Sequence, residues 1–142
     1  MDTTCKVVID NNIFLDLFLK RELFFDNALK IMNMLDNGEL TGLVNSNSIT
    51  DIYYFLKKEY GHKKALEFIE AIDNSATIVK VGRNDIMNSM LLNFNDLEDA
   101  LVSYCAEREK ADCIVTRNGK DFLESGIEAL SPEEFFKKTK IR

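Results

Sequence analysis

Histidine is almost missing from this sequence: His62 is the only one, set in the polar stretch Gly61-His62-Lys63-Lys64. Serine and cysteine hydrolases activate their nucleophile with an adjacent base, usually histidine. One histidine at what reads as an exposed helix junction serves that chemistry poorly. Cysteine is nearly as scarce, and Cys5, Cys105 and Cys113 lack the paired spacing of a zinc site, so they read as buried free thiols. No apolar run approaches the length of a membrane span, and the amino terminus lacks a basic stretch followed by an apolar one. A cytoplasmic protein without membrane association is therefore expected. Repeats, linkers and low-complexity segments are also absent, and residues 1–142 read as one domain with length enough for a sizeable core. Positive charge is in deficit. Eighteen basic residues against 24 acidic ones give a net charge of −6, which argues against a sequence-independent nucleic-acid coat. It leaves room for an enzyme whose acids gather around a cation.

What is present alternates between two periodicities. Lys6-Val7-Val8-Ile9, Leu40 to Val44, Thr77 to Val81 and Cys113 to Thr116 are short, β-branched or apolar runs that read as strands, with Glu128 to Leu130 a possible fifth. Between them the spacing is helical. One helix is predicted to run from Ile13 through Lys20-Arg21-Glu22 to Leu35, stopped by Asn37-Gly38. Ser46, Asn47 and Ser48 are candidate caps for a helix carrying Ile49, Ile52, Tyr53 and Leu56, which Gly61 ends. Further helices pass through Ala65 to Ile72, through Ile86 to Leu91 and onward from Asp96. Ser131-Pro132-Glu133-Glu134 opens the last one. Phe14, Phe18, Phe24 and Phe25 read as core, yet offer more apolar surface than a first helix pair commonly needs. Strands alternating with helices imply an α/β sandwich with a mainly parallel sheet.

Parallel strands share one carboxyl edge, and open sheets bind ligands there. Asp10 follows the first strand and Asp51 lies just beyond the second. Asp96 and Asp99 begin the helix that feeds the fourth, and Thr116, Asn118 and Asp121 follow it. Each has a plain structural explanation, since Asp96 is a good N-cap and Asp99 would sit at the third helical position, facing unpaired amides. Four segments bringing acids to one edge point instead to a cation site. A donor set of carboxylates without histidine or cysteine suits Mg²⁺ or Mn²⁺ better than zinc. Arg117 and Lys120 are placed to hold phosphate, or are solvated loop charges. Lys137, Lys138, Lys140 and Arg142 read as a solvated basic end in preference to an RNA contact.

These residues resemble the PIN-domain nucleases, the group that includes VapC-type toxins. The matching segments are Val8 to Asp16, Ser48 to Tyr54, Asp96-Leu97-Glu98-Asp99-Ala100-Leu101 and Ile114 to Phe122, which occur in family order and span most of the chain. The resemblance implies a PIN-like three-layer sandwich of about five strands and a Mg²⁺- or Mn²⁺-dependent endoribonuclease that hydrolyses RNA with metal-activated water. It implies Asp10, Asp99 and Asp121 as metal ligands and Asp51 as the remaining catalytic acid, standing where many members have glutamate. Asn12, Asp96, Thr116 and Asn118 match supporting positions, and Asn118 occupies a place often acidic in toxin members. An antitoxin protein and a homodimer are the implied partners. Two rivals are weighed against this. The Asp-x-Asp of haloacid phosphatases is broken by Asn12, and a receiver would need an acid where Val81-Gly82-Arg83 stands. A PIN-like binding scaffold with a decayed site, signalled by Asp51 and Asn118, is the rival of another class.

Overall fold

The structure is a computed structural model and describes residues 4–140; Arg142 and the Lys140 side chain, both in the basic end, lie outside the described residues. Five strands build its centre: β1 (Cys5–Ile9), β2 (Leu40–Asn45), β3 (Thr77–Val79), β4 (Cys113–Val115) and β5 (Ala129–Leu130). They pair in the order β3-β2-β1-β4-β5, and every pairing is parallel. The sequence leads to a mainly parallel sheet; the structure makes it wholly so. Val7, Val8 and Ile9 are at most 2% exposed, as expected of a central parallel strand covered on both faces.

Period-2 alternation sorts β1 into two cores. Val7 and Ile9 pack with residues of α1 (Asn11–Phe18), α2 (Phe25–Asp36), α3 (Ser46–Tyr60), α4 (His62–Ser75) and α7 (Pro132–Lys140). Val8 faces the other way, with Val102 and Ala106 of α6 (Leu97–Arg108) and with Phe122 in the 3-10 turn Gly119–Phe122. The short helix α5 (Arg83–Ser89) joins α6 through a 2.9 Å hydrogen bond from Asn88 to the Tyr104 hydroxyl. Helices thus cover both faces, giving three layers. Gly42 permits one close approach: a Cβ there would come within 2.5 Å of Leu35 in α2.

The first helix is not continuous. The expected single run from Ile13 to Leu35 is broken between Phe18 and Phe25, although neither glycine nor proline interrupts it. Lys20 takes a left-handed conformation (φ 52°), while Arg21 N–H bonds the Asp16 carbonyl at 3.0 Å and Lys20 N–H bonds Leu17 at 3.2 Å. This is a Schellman stop with lysine where glycine is usual. Tyr60 reinforces it by donating its hydroxyl to the Phe18 carbonyl at 2.6 Å. A tertiary contact therefore overrides an uninterrupted local pattern.

The candidate caps Ser46, Asn47 and Ser48 are likewise displaced. Asn45 occupies the cap position of α3, and Ser46 accepts instead from the Val81 amide at 3.1 Å. At α7 the expected start holds: Ser131 and Glu134 bond each other's backbone amides at 2.9 and 3.1 Å, a reciprocal capping box. Cys5, Cys105 and Cys113 are buried, and burial pushes the Cys105 and Cys113 thiols up to about 11 and about 12. Phe14 and Phe18 are buried as core; Phe24 is partly exposed.

Candidate active site

Asp10 leaves the end of β1 and caps α1, its Oδ1 accepting the Asn11 amide at 2.9 Å. Its other oxygen, Oδ2, receives the Thr116 hydroxyl at 2.7 Å and the Asn12 side-chain amide at 3.3 Å. Thr116 is fully buried beyond β4, and its Oγ1 also accepts the Asn118 amide at 3.0 Å. Burial pushes the Asp10 carboxyl up, while Thr116 and Asn11 draw it back down and nearby Asp121 adds to the rise. Asn12 and Thr116 therefore act on Asp10, fixing its orientation.

Asp96 caps α6, with Oδ1 accepting from the Asp99 amide at 3.1 Å. That bond sets Asp99 at the third helical position. Burial raises the Asp99 carboxyl to about 6, helped by the charges of Asp96, Asp10 and Asp121. Asp121 lies in the 3-10 turn, its amide bonded to the Asn118 carbonyl at 2.9 Å. Asp96, Asp99, Lys120 and Asp121 line one cleft of about 520 Å³ with Asn93 and Glu124. A larger hollow of about 630 Å³ beside β3 holds the Asp85–Arg108 ion pair instead, so its acid is already neutralised.

Asp51, in the second turn of α3, meets an acid that sequence reasoning left out of the site. Glu98 hydrogen-bonds Asp51, and that contact, burial, and the charges of Asp51, Asp96 and Asp10 raise the Glu98 carboxyl to about 8. Glu98 therefore keeps its proton near neutral pH, beside the Asp51 carboxylate. The signal was present: Glu98 lies within Asp96-Leu97-Glu98-Asp99, in the first turn of the helix that starts at Leu97. Asp96, Asp99 and Asp121 thus share one cleft, the charges of Asp10 and Asp96 act on both Glu98 and Asp99, and Asp51 stands beside Glu98.

Arg117 goes elsewhere. Its guanidinium grips Asp16 of α1 with two bonds of 2.6 and 3.0 Å and lies 3.8 Å over the Phe24 ring. Of the two candidate phosphate-binding residues, Lys120 alone lines the acidic cleft.

Does this donor set fit a divalent cation? Every candidate ligand is an oxygen, the preference of Mg²⁺ and Mn²⁺. Beside Asp10, the buried Oδ1 of Asn12 has no hydrogen-bond partner among the described residues. Yet among the described residues no three acidic, histidine or cysteine side chains stand close enough together to chelate one ion. The two facts are compatible. Mg²⁺ characteristically keeps several waters that bridge it to carboxylates, so its ligands need not crowd around it directly. The residues fit a water-rich cation site.

A parallel five-stranded sheet in this order, flanked by helices and with an acidic cleft beside it, defines a three-layer α/β domain. The family model for the PIN domain matches residues 6–120, and the chain belongs to that family. It is 33% identical over 135 residues to a protein named ribonuclease VapC1 from Aquifex aeolicus, covering 92% of each chain. Its fold is similar to a toxin-antitoxin complex from Klebsiella pneumoniae, at TM-score 0.67 and 19% identity over 89% of this chain and 97% of that one. It is also similar to VapBC2 from Rickettsia felis bound to a promoter DNA fragment, at TM-score 0.69 and 16% identity over 89% and 98%. No helix among the described residues is long and apolar enough to cross a membrane.

Proposed function

We propose that this chain is a cytoplasmic, divalent-metal-dependent endoribonuclease, the toxin of a toxin–antitoxin pair. The observation that carries the reading is the acidic cleft of a PIN-family chain that is 33% identical to a named ribonuclease. Asp10, Asp99 and Asp121 would hold Mg²⁺ or Mn²⁺, with Asn12 Oδ1 and Asp96 supporting. The cation, when bound, supplies Lewis acidity toward a phosphodiester oxygen and makes water a nucleophile at neutral pH. The rest belongs to the chain. Thr116 and Asn12 aim Asp10, Asp96 sets the first turn of α6 for Asp99, and Lys120 contributes the positive charge that draws phosphate to the cleft. Glu98 holds a proton beside Asp51 at neutral pH.

The test is direct. An unstructured RNA and a hairpin RNA incubated with Mn²⁺ or Mg²⁺ should yield internal cleavage products, and EDTA should abolish them. RNA binding without cleavage under either metal would favour the scaffold reading. The antitoxin reading extends from the toxin-antitoxin complex of similar fold, and copurification with a small partner encoded beside this chain's gene checks it.

A homodimer is part of the same reading, but not through the Phe14, Phe18, Phe24 and Phe25 region. Phe14 and Phe18 are buried within the chain, leaving little of that surface. Tyr54 and Phe55 on α3 and Leu66 on α4 are exposed on neighbouring helices and supply apolar area for a second copy. Light scattering at micromolar concentration should report a dimer, and Phe55→Ser should shift it toward monomer. A monomer in the wild type would remove the idea.

A further inference from the structure

Two successive residues beyond β4 hold the two ends of α1. Thr116 donates to Asp10, which caps the helix, at 2.7 Å. Arg117 donates from Nε and Nη2 to both oxygens of Asp16, near the helix's other end, at 2.6 and 3.0 Å. Asp16 is 1% exposed, and Arg21 gives it a further contact at 3.1 Å. Phe24 stacks on the outer face of the Arg117 guanidinium at 3.8 Å. A bidentate, stacked arginine on a buried carboxylate is a geometrically demanding pair, one that lysine cannot reproduce.

The consequence runs along the loop. Asn118 follows Arg117, bonds Thr116 through its amide, and bonds the Asp121 amide through its carbonyl at 2.9 Å. The loop that α1 holds at two points is therefore the loop that delivers Asp121 toward Asp10. We propose that Arg117 is a positioning residue for the nuclease site: its clamp on Asp16 fixes the distance between the acid of β1 and the acid of the 3-10 turn. This rests on the nuclease reading above and replaces a phosphate-binding role for Arg117 with an indirect one.

Arg117→Ala, Arg117→Lys and Asp16→Asn test it, with Mn²⁺ affinity measured by titration calorimetry and cleavage resolved into kcat and KM. Arg21 still partners Asp16 in Arg117→Ala, so that variant should fold; if it does not, the lysine and asparagine variants carry the test. Loss of a residue that orients a metal ligand commonly costs about 10–100-fold in metal affinity or activity. Arg117→Ala and Asp16→Asn should each weaken Mn²⁺ binding and lower kcat on that scale, with KM for RNA little changed. Arg117→Lys should lie between them and wild type. The double variant should be no worse than either single, because both break one clamp.

A raised KM with Mn²⁺ affinity and kcat intact would assign Arg117 to phosphate and overturn the clamp. So would wild-type values in both Arg117→Ala and Asp16→Asn, or a double variant whose losses add. Should the wild type bind Mn²⁺ without cleaving RNA, the nuclease reading fails while the affinity series still decides the clamp. A wild type that binds no Mn²⁺ overturns both.

Discussion

Asp99→Asn is expected to lower RNA cleavage by about 10²–10³-fold, since cation stabilisation of a phosphoryl transition state is worth several kcal/mol and each tenfold in rate is about 1.4 kcal/mol. The same substitution should raise the melting temperature of the metal-free protein at pH 8. Both effects follow from one fact. The Asp99 carboxyl sits at about 6 because burial and the charges of Asp96, Asp10 and Asp121 oppose its ionisation. Ionised at pH 8, it strains the fold; replaced by a neutral isostere, it strains nothing and binds no cation. Asp10→Asn should lose as much activity, with less gain in stability, because Asp10 accepts hydrogen bonds on both oxygens, from the Asn11 amide and from Thr116 and Asn12, and asparagine has only one acceptor oxygen to keep them. A residue important only for packing would lose activity and stability together. Cleavage by Asp99→Asn at the wild-type rate, or cleavage that survives EDTA, would remove the metal-dependent mechanism.

Asn118→Asp is the counterpart. Asn118 is exposed at the start of the 3-10 turn that carries Asp121, so an acid there joins the cluster without entering the core. Cleavage should hold or rise, and the metal-free melting temperature should fall.

The sheet and its carboxyl edge were legible because β-branched runs and the residues that end them are local signals. Val7-Val8-Ile9 followed by Asp10 reads the same in sequence and in structure. The break in the first helix was not legible. The Schellman stop uses Lys20, and its reinforcement comes from Tyr60, 42 residues beyond the Phe18 carbonyl it bonds. Arg117 failed for the same reason: its partner Asp16 lies 101 residues earlier, and nothing in Thr116-Arg117-Asn118 says that the side chain turns inward. Glu98 was hidden by the opposite problem. Three acids within four residues look interchangeable until α3 places Asp51 beside one of them. Local pattern found the segments; only packing across the sheet assigned individual side chains.

The metal-free protein should lose stability as pH rises from about 4 to about 8, against the usual behaviour of paired carboxylates. Glu98 at about 8 and Asp99 at about 6 both lie above their ordinary values of 4.5 and 3.8. Across that window the folded chain keeps protons that the unfolded chain has released, so unfolding is favoured increasingly as pH rises. The stabilising contribution is complete below the unfolded values and is lost once both groups have ionised in the folded state. A divalent cation binds the ionised form and reverses the trend. Its upward shift of the melting temperature should be small at pH 5 and largest at pH 8, and protons should be released on binding. Melting scans at pH 5, 6, 7 and 8, with EDTA and with millimolar MnCl₂, measure both slopes. In Glu98→Gln the loss of stability should end near pH 6 instead of continuing to pH 8, because Asp99 alone then keeps a proton that the unfolded chain has released. A metal-free melting temperature that climbs steadily from pH 5 to pH 8 would mean that the acids stand apart in solution, and the coupled cluster would be lost with it.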